Sequence, residues 1–476
     1  MAVYRRNFVG GRRIEPQGKR RCEVHSPFDG SWIGAAPLAE RADIDLAVQL
    51  AREALAGTSW GKAPIEQRLK VVHRFLTLYA DEAQSLVTLV TRENGIPLHF
   101  NLRLADETRM HSLAYIDAAS TMGQPPRPPD RAESTLTFQR PCGVVAAFSS
   151  WNAPQRTALG WLVPALLAGC SVILALNPRT ALDGQVIGEL MEQAELPEGV
   201  LSILVTGQDT ATYLAGHPAI DRIAFAGSSL DGCHIAGTAT ADSKRLTMEP
   251  RGRAPVIILP DADIAATTEG LRYASFFASG QWPVTQNRVF VPRHRQAELV
   301  ECLRACVEAM PLGDPLDPGT FIGPLICAQE REILLRVIEQ GCKDGAELVA
   351  GGAPLDMPGA SGAFLLPTVI ANATNTMEIA RVPLRGPVVV TIPYRDIDDA
   401  IHMANGSGYG AAASIWTSDA DLGVTVAGRL RAGTVSINGV APSTAATGGG
   451  VWQGGVGGLD GARGILEFAE IQTVSR

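Results

Sequence analysis

Val144-Val-Ala-Ala-Phe148, Ser171-Val-Ile-Leu-Ala-Leu176, Val200-Leu-Ser-Ile-Leu-Val205 and Arg222-Ile-Ala-Phe225 are four short apolar runs in one stretch of the chain. Each has the length of a buried strand, too short for a buried helix. Ser149-Ser-Trp-Asn-Ala-Pro154 reads as a loop after the first run and leads into a helix through Leu167. Leu182 to Ala194 has helical spacing, and the fourth run enters Gly227-Ser-Ser-Leu-Asp-Gly232 and a further helix. Strands alternating with helices predict a parallel sheet with helices on both faces. Ligands in such sheets sit beyond the carboxyl ends of the strands.

Outward from this unit, residues 1–40 alternate short polar and apolar pieces around Gly10-Gly11 and Pro27-Phe-Asp-Gly30, a pattern of hairpins. Asp43 to Ala56 has helical apolar spacing and acidic residues at its start, where the helix dipole favours them. Ile65 to Glu93 supports two amphipathic helices ending near Asn94-Gly95, and Ala105 to Met122 another. Proline-rich Gly123 to Asp130 breaks the last of these and opens an extended excursion to Gln139. A second α/β unit follows from about residue 250. Its predicted strands include Val256-Ile-Ile-Leu259, Arg288-Val-Phe-Val291 and Val388-Val-Val-Thr-Ile392, and its helices Gln296–Ala309 and Glu330–Lys343. Gly448 to Gly464 is glycine-dense, with a strand-like Glu467 to Val474 at the end.

The 476 residues are long for one core and suggest two or three structural units. At 46% hydrophobic and 19% charged, the composition is that of an ordinary soluble globular protein. A net charge of -8 argues against nucleic acid or an anionic membrane surface as partner. The start has no apolar signal core, and no stretch reaches the roughly 18 uncharged apolar residues of a membrane span, so a cytoplasmic location is the default expectation. None of the eight cysteines forms a Cys-x-x-Cys pair, and the eight histidines show no metal-ligand spacing, so no metal is expected. Cys302 and Cys306, four apart in a helical pattern, read as buried apolar thiols.

Ser275-Phe-Phe-Ala-Ser-Gly-Gln-Trp-Pro-Val-Thr-Gln-Asn-Arg-Val-Phe-Val291 resembles the nucleophile segment of the aldehyde dehydrogenase superfamily, Phe-Phe-x-x-Gly-Gln-x-Cys-x-x-x-x-Arg-Val. Phe276, Phe277, Gly280, Gln281, Arg288 and Val289 fall in register, and Pro283 stands where that family has its cysteine. The likeness covers nearly the whole chain in the family's order. Ser26-Pro-Phe-Asp-Gly30, Trp151-Asn152-x-Pro154, Leu196-Pro-Glu-Gly-Val200, Val205-Thr-Gly207, Phe225-x-Gly227-Ser228, Met248-Glu249, Gly386-Pro387-Val388 and Ser407-Gly-Tyr-Gly-Ala-Ala-Ala413 each match a landmark. The resemblance implies an aldehyde dehydrogenase-like α/β fold of two parallel-sheet domains and a small bridging β-element. Residues 1–118 and 140–249 would form the cofactor-binding-like domain and 250–445 the catalytic-like domain. Residues 119–139 and 462–476 would form the bridging element, which in this family builds dimers or tetramers.

The chemistry implied by the resemblance needs a thiolate nucleophile, oxyanion donors, a nicotinamide hydride acceptor and a base that activates water. Proline has no nucleophilic side chain and no N–H, so Pro283 removes both the thiol and one backbone donor. Ser279 and Thr285 are the nearest hydroxyls and show no adjacent base, which favours turn and strand roles. Asn152 matches the family's amide donor, with a loop-capping role equally open. Glu249 matches the general base, and the structural alternative is a carboxylate paired with Arg251 or Arg253. The cofactor grip is altered at several points. Asn177-Pro-Arg-Thr180 lacks the Lys and Glu of the family's ribose clamp, while Thr180 and Arg179 would suit a 2′-phosphate. Arg385 stands for the Glu of the second ribose clamp, and Pro250-Arg251-Gly252 replaces a glycine-rich turn. Gly227 and Ser228 keep the phosphate turn, with Asp231 beside it.

Taken together, these losses imply a protein without thiol-dependent aldehyde oxidation. The first expectation is a non-redox enzyme acting on a small carbonyl compound by acid–base chemistry: a lyase, hydratase, isomerase or hydrolase. Glu249 and Asn152 would be catalytic, with Arg251, Arg385, Trp151, Trp282, Gln281 and Thr285 as substrate-binding candidates. No cofactor is the first expectation, and NAD(P) held by the degraded remnant of Gly227, Ser228, Asn177 and Thr180 is the alternative. Two other readings stand beside it: a pseudoenzyme paired with an active homologue in a hetero-oligomer, and a residual NAD(P)-dependent aldehyde oxidoreductase. A homo-oligomer is the expected assembly for an enzyme.

Overall fold

A computed structural model describes residues 2–57, 60–122, 135–240, 242–250, 252–439 and 461–475. Two seven-stranded sheets organise it. The first contains β1 (Asn7–Val9), β2 (Arg12–Ile14), β3 (Val144–Phe148), β4 (Ser171–Leu176), β5 (Leu201–Val205), β6 (Arg222–Gly227) and β7 (Arg245–Pro250). Their spatial order is β7-β6-β3-β4-β5-β1-β2. The run from β7 to β5 is parallel, while β1 and β2 add an antiparallel hairpin at one edge. Gly10 and Gly11 turn that hairpin with φ of 59° and 83°, a region in which a side chain is disfavoured. The chain leaves β3 toward β4 on one side and returns through β6 on the other. The strand order therefore reverses between β3 and β6, and a crevice opens there at the carboxyl ends.

Helices cover both faces of this sheet, as continuous apolar strands require. They include α1 (Arg41–Gly57), α2 (Ile65–Asp81), α3 (Ala83–Asn94), α4 (Leu98–Met122), α5 (Pro154–Ala168), α6 (Asp183–Gln193), α7 (Gln208–Gly216) and α8 (Ser229–Thr240). Helix α5 is apolar beyond its first turn and buried except at Arg156 and Ala168, with Leu159, Trp161, Leu162 and Val163 wholly enclosed. Its Pro154 occupies the first turn, where no backbone donor is needed. Helix α4 starts at Leu98, before the expected Ala105, because Phe100 and Leu104 already bury one face.

The second sheet runs β10-β11-β12-β9-β8-β13-β14. Its strands are β8 (Pro255–Ile258), β9 (Arg288–Pro292), β10 (Glu347–Ala350), β11 (Thr368–Ala371), β12 (Val388–Tyr394), β13 (Ala412–Trp416) and β14 (Thr434–Ile437). All neighbours are parallel except β10 with β11. Helices α9 (Ile264–Phe276), α10 (Gln296–Glu308) and α11 (Ala328–Lys343) pack on it. A separate antiparallel ribbon pairs Thr135–Pro141 with Ala469–Ser475. The proline-rich stretch before it and the glycine-dense stretch after Gly448 lie outside the described residues, save for the last few glycines from Gly461. No helix among the described residues is long and apolar enough to cross a membrane.

Candidate active site

A cleft of about 320 Å³ occupies the crevice between β3 and β6. Its walls are the carboxyl ends of the parallel strands and the residues just beyond them: Phe148–Trp151 at β3, Asn177–Arg179 at β4, Thr206–Gln208 at β5, and Gly227 with Ser228 at β6. Glu330 and Arg385 close it from the second sheet's side. The sequence reading missed Thr206, Gln208, Thr212, His234 and Glu330 as cleft residues. The rule that ligands gather where strand order reverses is the signal that reaches most of them.

Of the expected cofactor residues, Asn177, Gly227 and Ser228 line this cleft, and the Asn177 and Ser228 side chains are already engaged. The Asn177 side chain accepts from the Arg179 N–H at 3.0 Å and caps a short turn. Thr180 is wholly buried behind that turn, and its hydroxyl has no partner among the described residues. The Ser228 hydroxyl donates to the Asp231 carboxylate at 2.5 Å and accepts from the Asp231 N–H at 3.0 Å. Arg385 enters the cleft as the resemblance places it, and its Nη1 donates to Glu330 Oε1 at 2.8 Å. Thr212 and His234 face each other at 2.9 Å on the same wall.

The Ser275–Val291 segment is held in costly geometry. Ala278, Ser279 and Gly280 all have positive φ, of 53°, 56° and 68°. Left-handed backbone costs a non-glycine residue roughly 1–2 kcal/mol, so surrounding bonds must impose it. Those bonds are visible. Ser279 Oγ accepts from the Gly323 N–H at 3.0 Å and donates to its carbonyl at 3.2 Å. Gln281 Oε1 accepts from the Ile326 N–H at 3.0 Å, and its Nε2 donates to the Pro324 carbonyl at 3.3 Å. The Asn152 amide donates to the Gln281 carbonyl at 2.8 Å, tying the loop after β3 to this segment. Thr285 Oγ donates to the Trp282 carbonyl at 2.8 Å. Pro283 is half-buried, and its carbonyl accepts from the Gly252 N–H at 3.1 Å. Ser279, Gln281 and Thr285 are thus buried and committed to the protein itself.

Glu249 lies on β7 opposite Ala226 of β6, beside the cleft wall. Among the described residues its ion-pair partner is Arg156 of α5, at 3.5 Å, and not Arg253. Arg253 is buried, with its charge on the Asn287 side chain and the Ile379 carbonyl. Arg251 lies outside the described residues. The Arg156 guanidinium stands 6.0 Å over the Trp282 ring, which packs edge-on against Phe277. Trp151 is buried in the cleft wall. Glu249, Arg156 and Trp282 therefore gather where the two sheets meet.

The aldehyde dehydrogenase family profile matches residues 14–474. The chain belongs to the aldehyde dehydrogenase family. Geranial dehydrogenase of Castellaniella defragrans is 33% identical over 469 residues, 98% of each chain. A crystal structure of a Mycobacterium tuberculosis aldehyde dehydrogenase complexed with NAD+ matches with a TM-score of 0.94, at 33% identity over 100% of this chain and 98% of the other. A cysteine-to-alanine mutant of aldehyde dehydrogenase C from Pseudomonas syringae, complexed with NAD+ and octanal, matches with a TM-score of 0.93, at 29% identity over 99% and 97%.

These matches overturn two expectations. The non-redox reading as lyase, hydratase, isomerase or hydrolase gives way, because the relatives are named as dehydrogenases along the full length of this aldehyde dehydrogenase-family chain. The expectation of no cofactor gives way as well, because structural neighbours at this TM-score carry NAD+. The physical reason is that the sequence displays losses of individual clamp side chains. The cleft is shaped chiefly by strand ends and backbone, which those substitutions leave in place.

Proposed function

We propose that this chain is an NAD(P)-dependent aldehyde oxidoreductase that uses Glu249 as its base and works without a thiol at position 283. The observation that carries this reading is the intact cleft at the β3–β6 reversal with Glu249 beside its wall. The residues present fit a dinucleotide. The cleft spans four strand ends, and at Gly207 an added Cβ would meet nothing within 4 Å, leaving the backbone open to a close neighbour. Helix α8, 12 residues long, begins directly after Gly227 and Ser228 of the cleft wall, where the positive end of its dipole favours a phosphate. Asp231 in that turn and Arg385 opposite it shift the charge of the grip relative to the family pattern. Arg179, lining the same wall, supports the phosphorylated dinucleotide as the alternative cofactor.

A bound nicotinamide supplies the hydride acceptor. The chain's own residues supply the rest. Water adds to the aldehyde carbonyl to give the hydrate, whose carbon carries the hydrogen to be lost. With a dinucleotide bound, the Glu249 carboxylate would take a hydroxyl proton from that hydrate, and the net products would be the carboxylic acid, the reduced dinucleotide and one proton. Trp151 and Trp282 provide apolar walls that exclude bulk water from the reacting carbon. Asn152 acts by holding the Gln281 carbonyl and through it the Pro283 loop.

Residues 1–118 with 140–249 form the cofactor unit in this reading, and 250–445 the catalytic unit. The ribbon presents Phe138, Ile471 and Val474 to solvent, which fits a second copy of the chain in a dimer or tetramer.

Calorimetric titration of the wild-type protein with NAD+ and NADP+, followed by aldehyde-dependent formation of reduced nicotinamide, tests the proposal. Binding of one dinucleotide with turnover lost in Glu249→Gln supports it. Failure of both dinucleotides to bind sinks it.

A further inference from the structure

Cys142 and Cys170 lie outside the cleft and outside the chemistry above, yet their sulfurs are 3.6 Å apart and share a hydrogen bond. Cys142 joins the ribbon strand to β3, and Cys170 immediately precedes β4. The two strands are neighbours in the sheet, with Val144 opposite Ser171 and the Ser171 N–H on the Gly143 carbonyl at 3.2 Å. Neighbouring strands run about 4.8 Å apart, which brings this diagonal pair within the Cα separations that disulfides span. Both residues are also fixed to one atom. The Phe468 carbonyl accepts from the Cys142 N–H at 3.0 Å and from the Cys170 thiol at 3.2 Å.

We propose that Cys142 and Cys170 form a redox-active dithiol that closes to an intramolecular disulfide when a hydroperoxide reaches it. Cys170 is wholly buried and Cys142 only partly, so Cys142 is the sulfur that meets the oxidant. Its sulfur forms an S–O bond as the peroxide O–O bond breaks, and the departing oxygen leaves as water with the Cys142 proton. The Cys170 sulfur then forms the S–S bond as that S–O bond breaks, and the oxygen leaves as a second water with the Cys170 proton. Two thiols are oxidised and one molecule of hydrogen peroxide is reduced.

The surroundings suit Cys170 to the second step, as the sulfur with the more thiolate character. For Cys170 the cost of burial is outweighed by the Cys142 hydrogen bond, nearby backbone donors and the Arg222 charge, so its thiol lies below the usual range. The same hydrogen bond, together with burial, pushes the Cys142 thiol up. Closing the bond would tie together the ends of the segment that holds β3, Asn152, Arg156 and α5. It would also remove the Cys170 donor from the Phe468 carbonyl at the root of the ribbon.

The test is peptide mapping without reduction. The full native chain is exposed to hydrogen peroxide, quenched by alkylation and digested. The expected result is one linked peptide pair containing Cys142 and Cys170, lighter by two hydrogens and separated again by reductant. The oxidised protein is further expected to unfold at a higher temperature than the reduced one, a rise that Cys142→Ser abolishes. Free, alkylated Cys142 and Cys170 after peroxide treatment would overturn the proposal, as would linkage of either to a different cysteine.

Discussion

Replacing Asn152 with alanine should destabilise this protein before it touches catalysis. Asn152 is wholly buried, and its amide is the donor 2.8 Å from the buried Gln281 carbonyl. An acceptor left buried without a donor costs about 1–3 kcal/mol. The lost side chain also leaves a void between the β3 loop and the strained 278–280 turn, adding about 1 kcal/mol more. The expected loss is therefore about 2–4 kcal/mol. Urea unfolding at fixed protein concentration should show a lower midpoint with an unchanged slope. Asn152→Asp should be at least as damaging, because it turns a carboxylate toward the same carbonyl. A stability change under about 0.5 kcal/mol accompanied by lost turnover would refute the reasoning, since the amide would then be serving the substrate and not the loop.

The remaining predictions concern the same region. Gly280→Ala should cost more than the roughly 1–2 kcal/mol of its left-handed backbone, because the new Cβ would lie 2.0 Å from the Gly386 carbonyl oxygen, which cannot rotate away. Calorimetric unfolding at wild-type temperature would contradict this. Burial pushes the Asp183 carboxyl up to about 7, and burial with the Asp183 charge raises Glu93 well above the carboxylate range. A carboxyl raised in the folded state contributes stability that is full below its ordinary 3.8 and is lost as pH rises through about 7. The wild type should therefore weaken between those values, and Asp183→Asn should flatten the profile; an unchanged slope in thermal midpoints would count against the pair. Glu249→Gln should reduce turnover by at least about a hundredfold with cofactor affinity unchanged, as expected for loss of a general base. Equal turnover in the two proteins would remove Glu249 from the chemistry.

The apolar runs between Val144 and Phe225 place four parallel strands almost residue for residue, because a strand buried on both faces has few ways to be written. The hairpin around Gly10-Gly11 is legible from its turn signal, whereas the late β-rich run marks a strand without naming its partner, Thr135–Pro141. What a side chain does with its charge is not legible. Arg385 reads as an unanswered cation until Glu330, 55 residues away in the chain, is found beside it. Glu249 has Arg253 close in sequence, yet that arginine turns to Asn287 and Glu249 meets Arg156 from a different element. Ser279 reads as a turn hydroxyl, but its partner Gly323, 44 residues away in the chain, cannot be read from the sequence. The degraded clamps misdirect the functional reading in the same way. They record which side chains changed, and the cleft depends mainly on where the strands end.

The central claim is aldehyde oxidation on this scaffold with proline at position 283. The most direct measurement is reduced nicotinamide formed from an aldehyde panel by wild-type protein, before and after exhaustive thiol alkylation under native conditions. The account predicts aldehyde-dependent reduction that survives alkylation. No reduction with any aldehyde, or activity abolished by alkylation in a protein that still binds the dinucleotide, would contradict it.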